Sequence, residues 1–212
     1  MKVIPAINCE NFGCVSDKLL KAAEFSDWVQ IDISDGKFSN AVTWNNPKEL
    51  FGFIALHNLN VSVEAHLMVE DVLGESLRWL AAGSKRIVVQ SEAVFDADDL
   101  LKSCKEYGSE AMISLSPKTN VEDKTELLPS FNEFQVLSVT PGFAGQEFDN
   151  GAIAKIKSLR QLFPSGIIEV DGGVNEKTAK QIRSAGADMI ASASYIFDSD
   201  NPEETFERLA SI

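Results

Sequence analysis

The sequence repeats one unit, in which a short run of apolar, often β-branched residues is followed by a polar loop and an amphipathic stretch. Such units form parallel strands joined by helical crossovers. Some runs, such as Ile87–Val89 and Met189–Ala191, are wholly apolar, which is typical of parallel strands covered on both faces. The candidate strands are Val3–Ile7, Trp28–Ile33, Val61–His66, Arg86–Gln90, Ala111–Leu115, Phe134–Val139, Ile167–Val170 and Met189–Ala193.

Two of the intervening stretches have a clear helical period. Leu73, Leu77 and Leu80 recur at i, i+4 and i+7, which predicts that they form the buried face of one helix. A second pattern runs from Ile153 to Leu162 and ends ahead of Pro164, a residue type that stops a helix.

Eight such units in 212 residues predict a single α/β domain, a (β/α)8 TIM barrel spanning residues 1–212. The alternative is an open doubly wound sheet, which uses the same alternation of strands and helices. That fold usually carries G-x-G-x-x-G after its first strand. Here the segment N-C-E-N-F-G follows Ile7, so we expect the barrel.

Charge and composition exclude some classes of partner. The net charge of −13 argues against nucleic acid and anionic membranes, because both need a basic surface. No apolar run has the length of a membrane span or a signal peptide, so we expect a soluble cytoplasmic protein. Cys9, Cys14 and Cys104 are odd in number and include no C-x-x-C pair. We therefore expect free, small apolar thiols in a reducing compartment.

Polar residues stand at the carboxyl ends of three predicted strands, where barrels of this kind place their chemistry. In the second strand, Gln30 and Asp32 share the face opposite the isoleucines. His66 ends the third strand and Asp171 follows the seventh. Taken singly, each has a simpler interpretation as a turn former or a hydrogen-bonded core residue. Together, two carboxylates and an imidazole at one mouth can hold a divalent cation, perform acid–base chemistry, or both.

The loops after the last three strands are rich in small residues. Two glycines and an alanine lie in the segment T-P-G-F-A-G-Q after strand six, a Gly-Gly pair follows Asp171, and Ala193-Ser194 follows strand eight. Ordinary turns would explain any one of these features. In this order, they predict a phosphate site built from backbone amides. The candidate substrate and phosphate residues in these loops are Gly142, Phe143, Ala144, Gly145, Gly172, Gly173, Ala193 and Ser194.

At these residues the sequence resembles the ribulose-phosphate 3-epimerase family along nearly its whole length. The resemblance is carried by D-I-S-D-G-K-F from Asp32, H-L-M-V from His66, S-P-K-T from Ser116, T-P-G-F-A-G-Q-E-F from Thr140 and E-V-D-G-G-V from Glu169.

The resemblance implies reversible inversion at C3 of a ketopentose phosphate. Asp32 and Asp171 would exchange protons with opposite faces of the substrate through a cis-enediolate. A divalent metal would stabilise that intermediate, with Asp32, His66, Asp171 and the residue at position 30 as ligands. Met68 would pack beside the enediolate, and a phosphorylated sugar would be the partner. Dimeric and cyclic assemblies are both compatible with such a barrel.

The sequence departs from the family pattern at several positions. Gln30 stands where the family has a metal-binding His, which shifts the expected preference from zinc toward manganese, iron or magnesium, with cobalt also a candidate. The other departures are Ala6 for Ser, Ser34 for Met, Gln90 for His, Ala193 for Gly and a missing Pro after Phe38.

Two other functions compete with the epimerase. A barrel with these departures could bind a phosphorylated metabolite without turnover. A phosphosugar decarboxylase of the orotidine-phosphate type would need a Lys between two acids in an Asp-x-Lys-x-x-Asp array. Only Ile33 and Ser34 separate Asp32 from Asp35, so we rank the decarboxylase low.

Overall fold

The computed structural model describes residues 1–94 and 96–212. Within them, strands and helices alternate as the sequence predicts. The strands are β1 Lys2–Ile7, β2 Trp28–Ser34, β3 Ser62–Met68, β4 Arg86–Gln90, β5 Glu110–Leu115, β6 Glu133–Leu137, β7 Ile167–Asp171 and β8 Met189–Ser192. The α-helices are α1 Phe12–Ala22, α2 Pro47–Leu56, α3 Val72–Ala82, α4 Asp98–Tyr107, α5 Gly151–Leu162, α6 Glu176–Ala185, α7 Ser194–Phe197 and α8 Pro202–Ala210. Short 3₁₀ helices at Val121–Lys124 and Leu128–Ser130 lie between β5 and β6.

The eight strands form a closed parallel barrel in chain order. β1 pairs with β2 on one side and with β8 on the other, which confirms the predicted (β/α)8 architecture. The strands β2 and β3 pair along their whole length, with Asp32 opposite His66. Because all strands are parallel, their carboxyl ends meet at one mouth, and this sets the position of the site.

Alternation along each strand divides the buried residues between two compartments. Val29, Ile31 and Ile33 point outward into the large core between the barrel and its helices. The inward-facing residues are more polar than is usual for a barrel interior, although Ile4, Val88, Met112 and Met189 form a small apolar cluster there.

A buried ion cluster lies toward the amino ends of the strands. Arg86 on β4 is 2.7 Å from Glu64 on β3, 2.8 Å from Glu110 on β5 and 2.7 Å from Glu133 on β6. Burial raises the pKa of Glu133 although Arg86 opposes that shift. One guanidinium thus connects four consecutive strands at the end of the barrel opposite the mouth.

Two details of the sequence prediction are wrong. The buried face of α3 consists of Val72, Ser76, Trp79 and Leu80, whereas Leu73 and Leu77 are 38% and 39% exposed. Because the large indole of Trp79 is fully buried, the buried face of α3 is centred on Trp79 and not on the predicted leucines.

The cysteines also differ from the prediction. Cys9 and Cys14 form a disulfide, while Cys104 is free and buried. The turn into α1, where Asn11 caps the helix by accepting from the backbone N–H of Cys14, holds the two Cα atoms 5.9 Å apart. Such a bond is uncommon in a reducing compartment, so the cytoplasmic location stays a prediction. No helix in the described part of the chain has the length and apolar character needed to cross a membrane.

Candidate active site

Three strands bring the predicted Asp32, His66 and Asp171 together at the mouth of the barrel. All three are at least nine-tenths buried. Nδ1 of His66 is 3.1 Å from Oδ1 of Asp32 and 3.3 Å from Oδ2 of Asp171. One ligand atom from each residue lies within 4.8 Å of the others.

Gln30 lies one layer deeper in the barrel and is fully buried. Its Nε2 donates to Oδ1 of Asp32 and to Oδ2 of Asp171, both at 2.8 Å. The same nitrogen is 3.4 Å from Nδ1 of His66. A single amide group therefore bridges the two carboxylates from below.

The His66 ring is held at both nitrogens. Nδ1 faces the two carboxylates, and Nε2 is 2.7 Å from the side-chain amide of Gln90. The Gln90 atom at that distance is Nε2, and contacts at both ring nitrogens hold the imidazole in one orientation. Burial opposes a charge on the imidazole, but the hydrogen bonds to Asp171 and Asp32 outweigh it and raise the pKa of His66 to about 10.

The two carboxylates have different surroundings. Burial raises the pKa of Asp171, and the nearby charge of Asp32 adds to this, while His66 works against it. Asp32 has a further donor, since Nδ2 of Asn8 is 3.2 Å from its Oδ2 and also 3.3 Å from the carbonyl oxygen of Gly142. One carboxylate is thus connected to the loop after β6.

A cavity of about 320 Å³ opens above these residues, a size that suits a small metabolite. Its lining includes Asp32, His66 and Asp171 together with every predicted substrate and phosphate residue: Met68, Gly142, Phe143, Ala144, Gly145, Gly172, Gly173, Ala193 and Ser194. Gln30 is not part of that lining. The structure therefore assembles the predicted set around one space, with Gln30 beneath it.

Glycine is required where the loops after β6 and β7 meet. Gly173 has φ +60°, and a Cβ there would lie 2.4 Å from the backbone nitrogen of Phe148. Gly172 has φ +100°, and its Cβ would lie 2.5 Å from Val139. Ser138 donates to the carbonyl oxygens of Asp171 and Gly172 at 2.8 and 2.6 Å. These contacts hold Asp171 and its glycine loop in one position.

Several cavity residues were not identified from the sequence. Asn8 had one detectable signal, because it is the polar residue at which the apolar first strand ends. Gln146 and Val174 lie in segments that carry the family resemblance, although no role was predicted for them. The others reach the cavity through the fold: Leu137, Val139, Asn175, Ala191, Ser192, Tyr195 and Asp198.

Comparison with known proteins identifies the family. Residues 2–197 match the model of the ribulose-phosphate 3 epimerase family. The chain belongs to that family. The ribulose-phosphate 3-epimerase of Chlamydia muridarum is 32% identical over 208 residues, covering 94% of this chain and 89% of its own. That of Chlamydia pneumoniae is 35% identical over 197 residues, covering 89% and 83%. The chain is accordingly an enzyme, an epimerase of the isomerase class.

Solved structures agree on the fold. A 3-hexulose-6-phosphate synthase superposes with a TM-score of 0.73 at 18% identity, covering 100% of this chain and 99% of its own. KGPDC from Streptococcus mutans in complex with D-R5P gives 0.76 at 12% identity, covering 99% and 95%. Orotidine 5'-phosphate decarboxylase from Pyrococcus horikoshii gives 0.66 at 13%, covering 98% and 96%. At such identities these likenesses concern the barrel alone.

The donor set of the site fits a divalent cation. Two carboxylates and one imidazole nitrogen converge within 4.8 Å, and such hard or borderline donors suit manganese, iron, cobalt, magnesium or zinc. The ring of His66 is oriented through Gln90, as metal-binding imidazoles usually are through a second hydrogen bond.

Proposed function

We propose that the chain inverts C3 of a phosphorylated ketose, ribulose 5-phosphate or a related sugar phosphate. Of Asp32 and Asp171, one removes a proton from C3 and the other delivers a proton to its opposite face. The observation that supports this most is the convergence of the two carboxylates, each 2.8 Å from the same Gln30 nitrogen, at the base of one cavity. The names of the Chlamydia relatives support the same substrate.

In the proposed reaction, one carboxylate removes the proton from C3. The electron pair of the C–H bond moves toward the C2 carbonyl and gives a cis-enediolate. The other carboxyl group, protonated at the start, delivers its proton to the opposite face of C3 while the C2 carbonyl re-forms. A single base returning the proton to the same face would change nothing, so both groups are required. Proton exchange with solvent then restores the starting state.

The surroundings of the two carboxylates support these roles. Burial raises the pKa of Asp171, which makes it a stronger base than a solvated carboxylate. Asn8 and Gln30 donate to different oxygens of Asp32 and hold that carboxylate in one orientation. A divalent ion held by Asp32, His66 and Asp171 would stabilise the negative charge that develops on the enediolate oxygens.

The phosphate of the substrate would bind the backbone amides near Gly145, Gly173 and Ser194. These three residues line the cavity and belong to the segments that follow β6, β7 and β8. The lining contains no Lys or Arg among the described residues, so the dianion would bind backbone N–H groups and neutral side chains rather than a basic residue. Met68 and Phe143 would contact the sugar.

The test uses NMR to measure the rate at which the C3 proton of ribulose 5-phosphate exchanges with D2O. The enzyme is assayed with added manganese, cobalt, zinc or magnesium. Asp32→Asn and Asp171→Asn should each lower the exchange rate by about 10²- to 10⁴-fold, because an amide cannot accept the proton. Asp17→Asn, on the exposed face of α1, is the matched control and should retain the wild-type rate.

A second function, binding of a phosphorylated metabolite without turnover, is favoured by the presence of an amide donor at position 30. Wild-type protein that binds ribulose 5-phosphate but shows no exchange with any of these metals would establish it in place of the epimerase. Full activity in both Asp variants would instead refute the two-carboxylate mechanism.

A further inference from the structure

The side-chain amide of Gln30 presents different atoms to its two sides. Its nitrogen faces the mouth and donates to Asp32 and Asp171, both at 2.8 Å. Its oxygen faces the barrel interior, where Nε2 of Gln135 on β6 donates to it at 3.2 Å. Gln30 and Gln135 are both fully buried, so water does not compete for these bonds.

The orientation of Gln135 follows from its other partners. Its Nε2 also donates to Oε1 of Glu169 at 2.9 Å, and its Oε1 accepts from the Ser114 hydroxyl at 2.7 Å. These two contacts direct the nitrogen of Gln135 toward Glu169 and toward Gln30. The chain of bonds runs from β7 through β6 to β2.

Turning the Gln30 amide over would break this chain. The oxygen would then face two carboxylate oxygens at 2.8 Å, and the nitrogen would face another amide nitrogen at 3.2 Å. At most one of the first two contacts would have a proton to share, and the last would have no lone pair; inside a barrel such unpaired contacts are costly. The observed orientation is the one in which every polar atom of Gln30 is bonded.

We infer that Gln30 is a positioning residue that holds the two carboxylates through its N–H2 group and is not a metal ligand through its oxygen. This rests on the proposed function, in which Asp32 and Asp171 act on the same substrate. An ion in the site would take its protein ligands from Asp32, His66 and Asp171 alone. A three-residue set leaves more coordination positions for water or substrate oxygens than a four-residue set does.

The first experiment needs no metal. In metal-free protein labelled with ¹⁵N at glutamine side chains, the Gln30 amide resonances are identified by their loss in Gln30→Leu. We expect them to exchange with solvent more slowly than those of exposed Gln181. Asp32→Ala should shift one Gln30 proton and Asp171→Ala the other, because each carboxylate accepts one of them. If the Gln30 amide protons shift in Gln135→Leu but in neither Asp variant, the inference is overturned.

The second experiment uses the visible spectrum of bound Co²⁺, which reports the number and geometry of ligands. Wild type and Gln30→Leu should give the same spectrum, since no ligand is lost. Gln135→Leu should alter it by freeing the Gln30 oxygen to turn toward the ion, and the double variant should restore it. Gln30→Met replaces Gln30→Leu if the latter is poorly folded by circular dichroism.

The outcomes separate this inference from the proposed function. A Co²⁺ spectrum that changes in Gln30→Leu would show that Gln30 is a ligand and would overturn the inference. An unchanged spectrum in Gln135→Leu would overturn the role of Gln135. Wild-type protein that binds no Co²⁺ would remove the metal from the proposed function, while the metal-free resonances would still decide the orientation of Gln30.

Discussion

Single residues determine how the two carboxylates of the site differ. Asp32 accepts from Asn8 and Gln30, whereas Asp171 accepts from Gln30 and lies beside a glycine loop fixed by Ser138. Both face Nδ1 of His66. Position 30 connects these groups, because its nitrogen lies within 3.4 Å of a polar atom of each carboxylate and of the imidazole. A change of one functional group there should change what the site binds.

Gln30→His should raise the affinity for Zn²⁺ and Mn²⁺ by about tenfold or more, the scale on which ligand surroundings change metal binding. The reason is that an imidazole offers a lone pair where the amide offers protons. Competition with a chromophoric chelator measures the change. Gln181→His, on the exposed side of α6, should have no effect, and equal affinities in wild type and Gln30→His would contradict the expectation.

At the level of elements, the loops that follow the strands build the cavity, and a few contacts fix those loops. Asp35 connects two of them, since its carboxylate accepts from the backbone N–H groups of Lys37 and Phe38 at 2.8 and 2.9 Å and from that of Glu70 at 2.8 Å. Gly173 fixes a third, because its backbone packs against Phe148 where no side chain would fit.

The Asp35 contact should make the protein sensitive to acid. Burial works to raise the pKa of Asp35, but the backbone N–H groups outweigh it and hold the pKa below its ordinary value of 3.8. Its stabilising effect is therefore present above pH 3.8 and is lost as the pH falls through the lower, folded-state pKa. Asp35→Asn should lower the free energy of unfolding by about 0.5 to 1.5 kcal/mol at neutral pH, because water competes for these partly exposed bonds. Urea unfolding should show that the difference in free energy of unfolding between wild type and Asp35→Asn narrows below about pH 4. A difference that stays constant with pH would argue against a stabilising role for the ionised Asp35 carboxylate.

Gly173→Ala should raise KM for the sugar phosphate and lower stability, because its Cβ would lie 2.4 Å from a backbone nitrogen at φ +60°. Gly108→Ala separates the two causes, since Gly108 has φ +65° and an added Cβ there would meet no atom within 4 Å. Gly108→Ala should lower the free energy of unfolding by only the cost of placing alanine in the left-handed conformation, about 1 to 2 kcal/mol. It should leave KM unchanged. Steady-state kinetics and thermal unfolding of both variants provide the comparison, and equal KM values in wild type and Gly173→Ala would exclude a role for this loop in binding.

Across the whole molecule, the two ends of the barrel have separate tasks. The mouth carries the candidate chemistry, while the opposite end carries the Arg86 cluster, which joins β3, β4, β5 and β6. Closure of the barrel depends on every strand keeping its neighbour, since β1 must meet β8 to complete it. An uncompensated charge at the end opposite the mouth should therefore lower the stability of the whole barrel.

Arg86→Met should destabilise the protein by about 3 to 5 kcal/mol, because it leaves the buried Glu64 and Glu133 carboxylates without their cation. Arg78→Met is the matched control, since Arg78 pairs with Glu75 on the surface of α3 and such pairs contribute less than about 1 kcal/mol. Urea unfolding measures both. Similar losses in the two variants would show that the buried cluster contributes no more than a surface pair.

The sequence alone was sufficient for the barrel and for the group of Asp32, His66 and Asp171. The reason is local: apolar runs and their period mark parallel strands, and parallel strands bring their carboxyl ends to one mouth. The tertiary structure decided what local patterns do not contain. The buried face of α3 follows Trp79, and Cys9 meets Cys14 through the turn into α1. The orientation of Gln30 depends on Gln135, which is 105 residues away. A side-chain amide has no intrinsic preference for either face, so only partners brought together by folding determine whether it offers a lone pair or a proton.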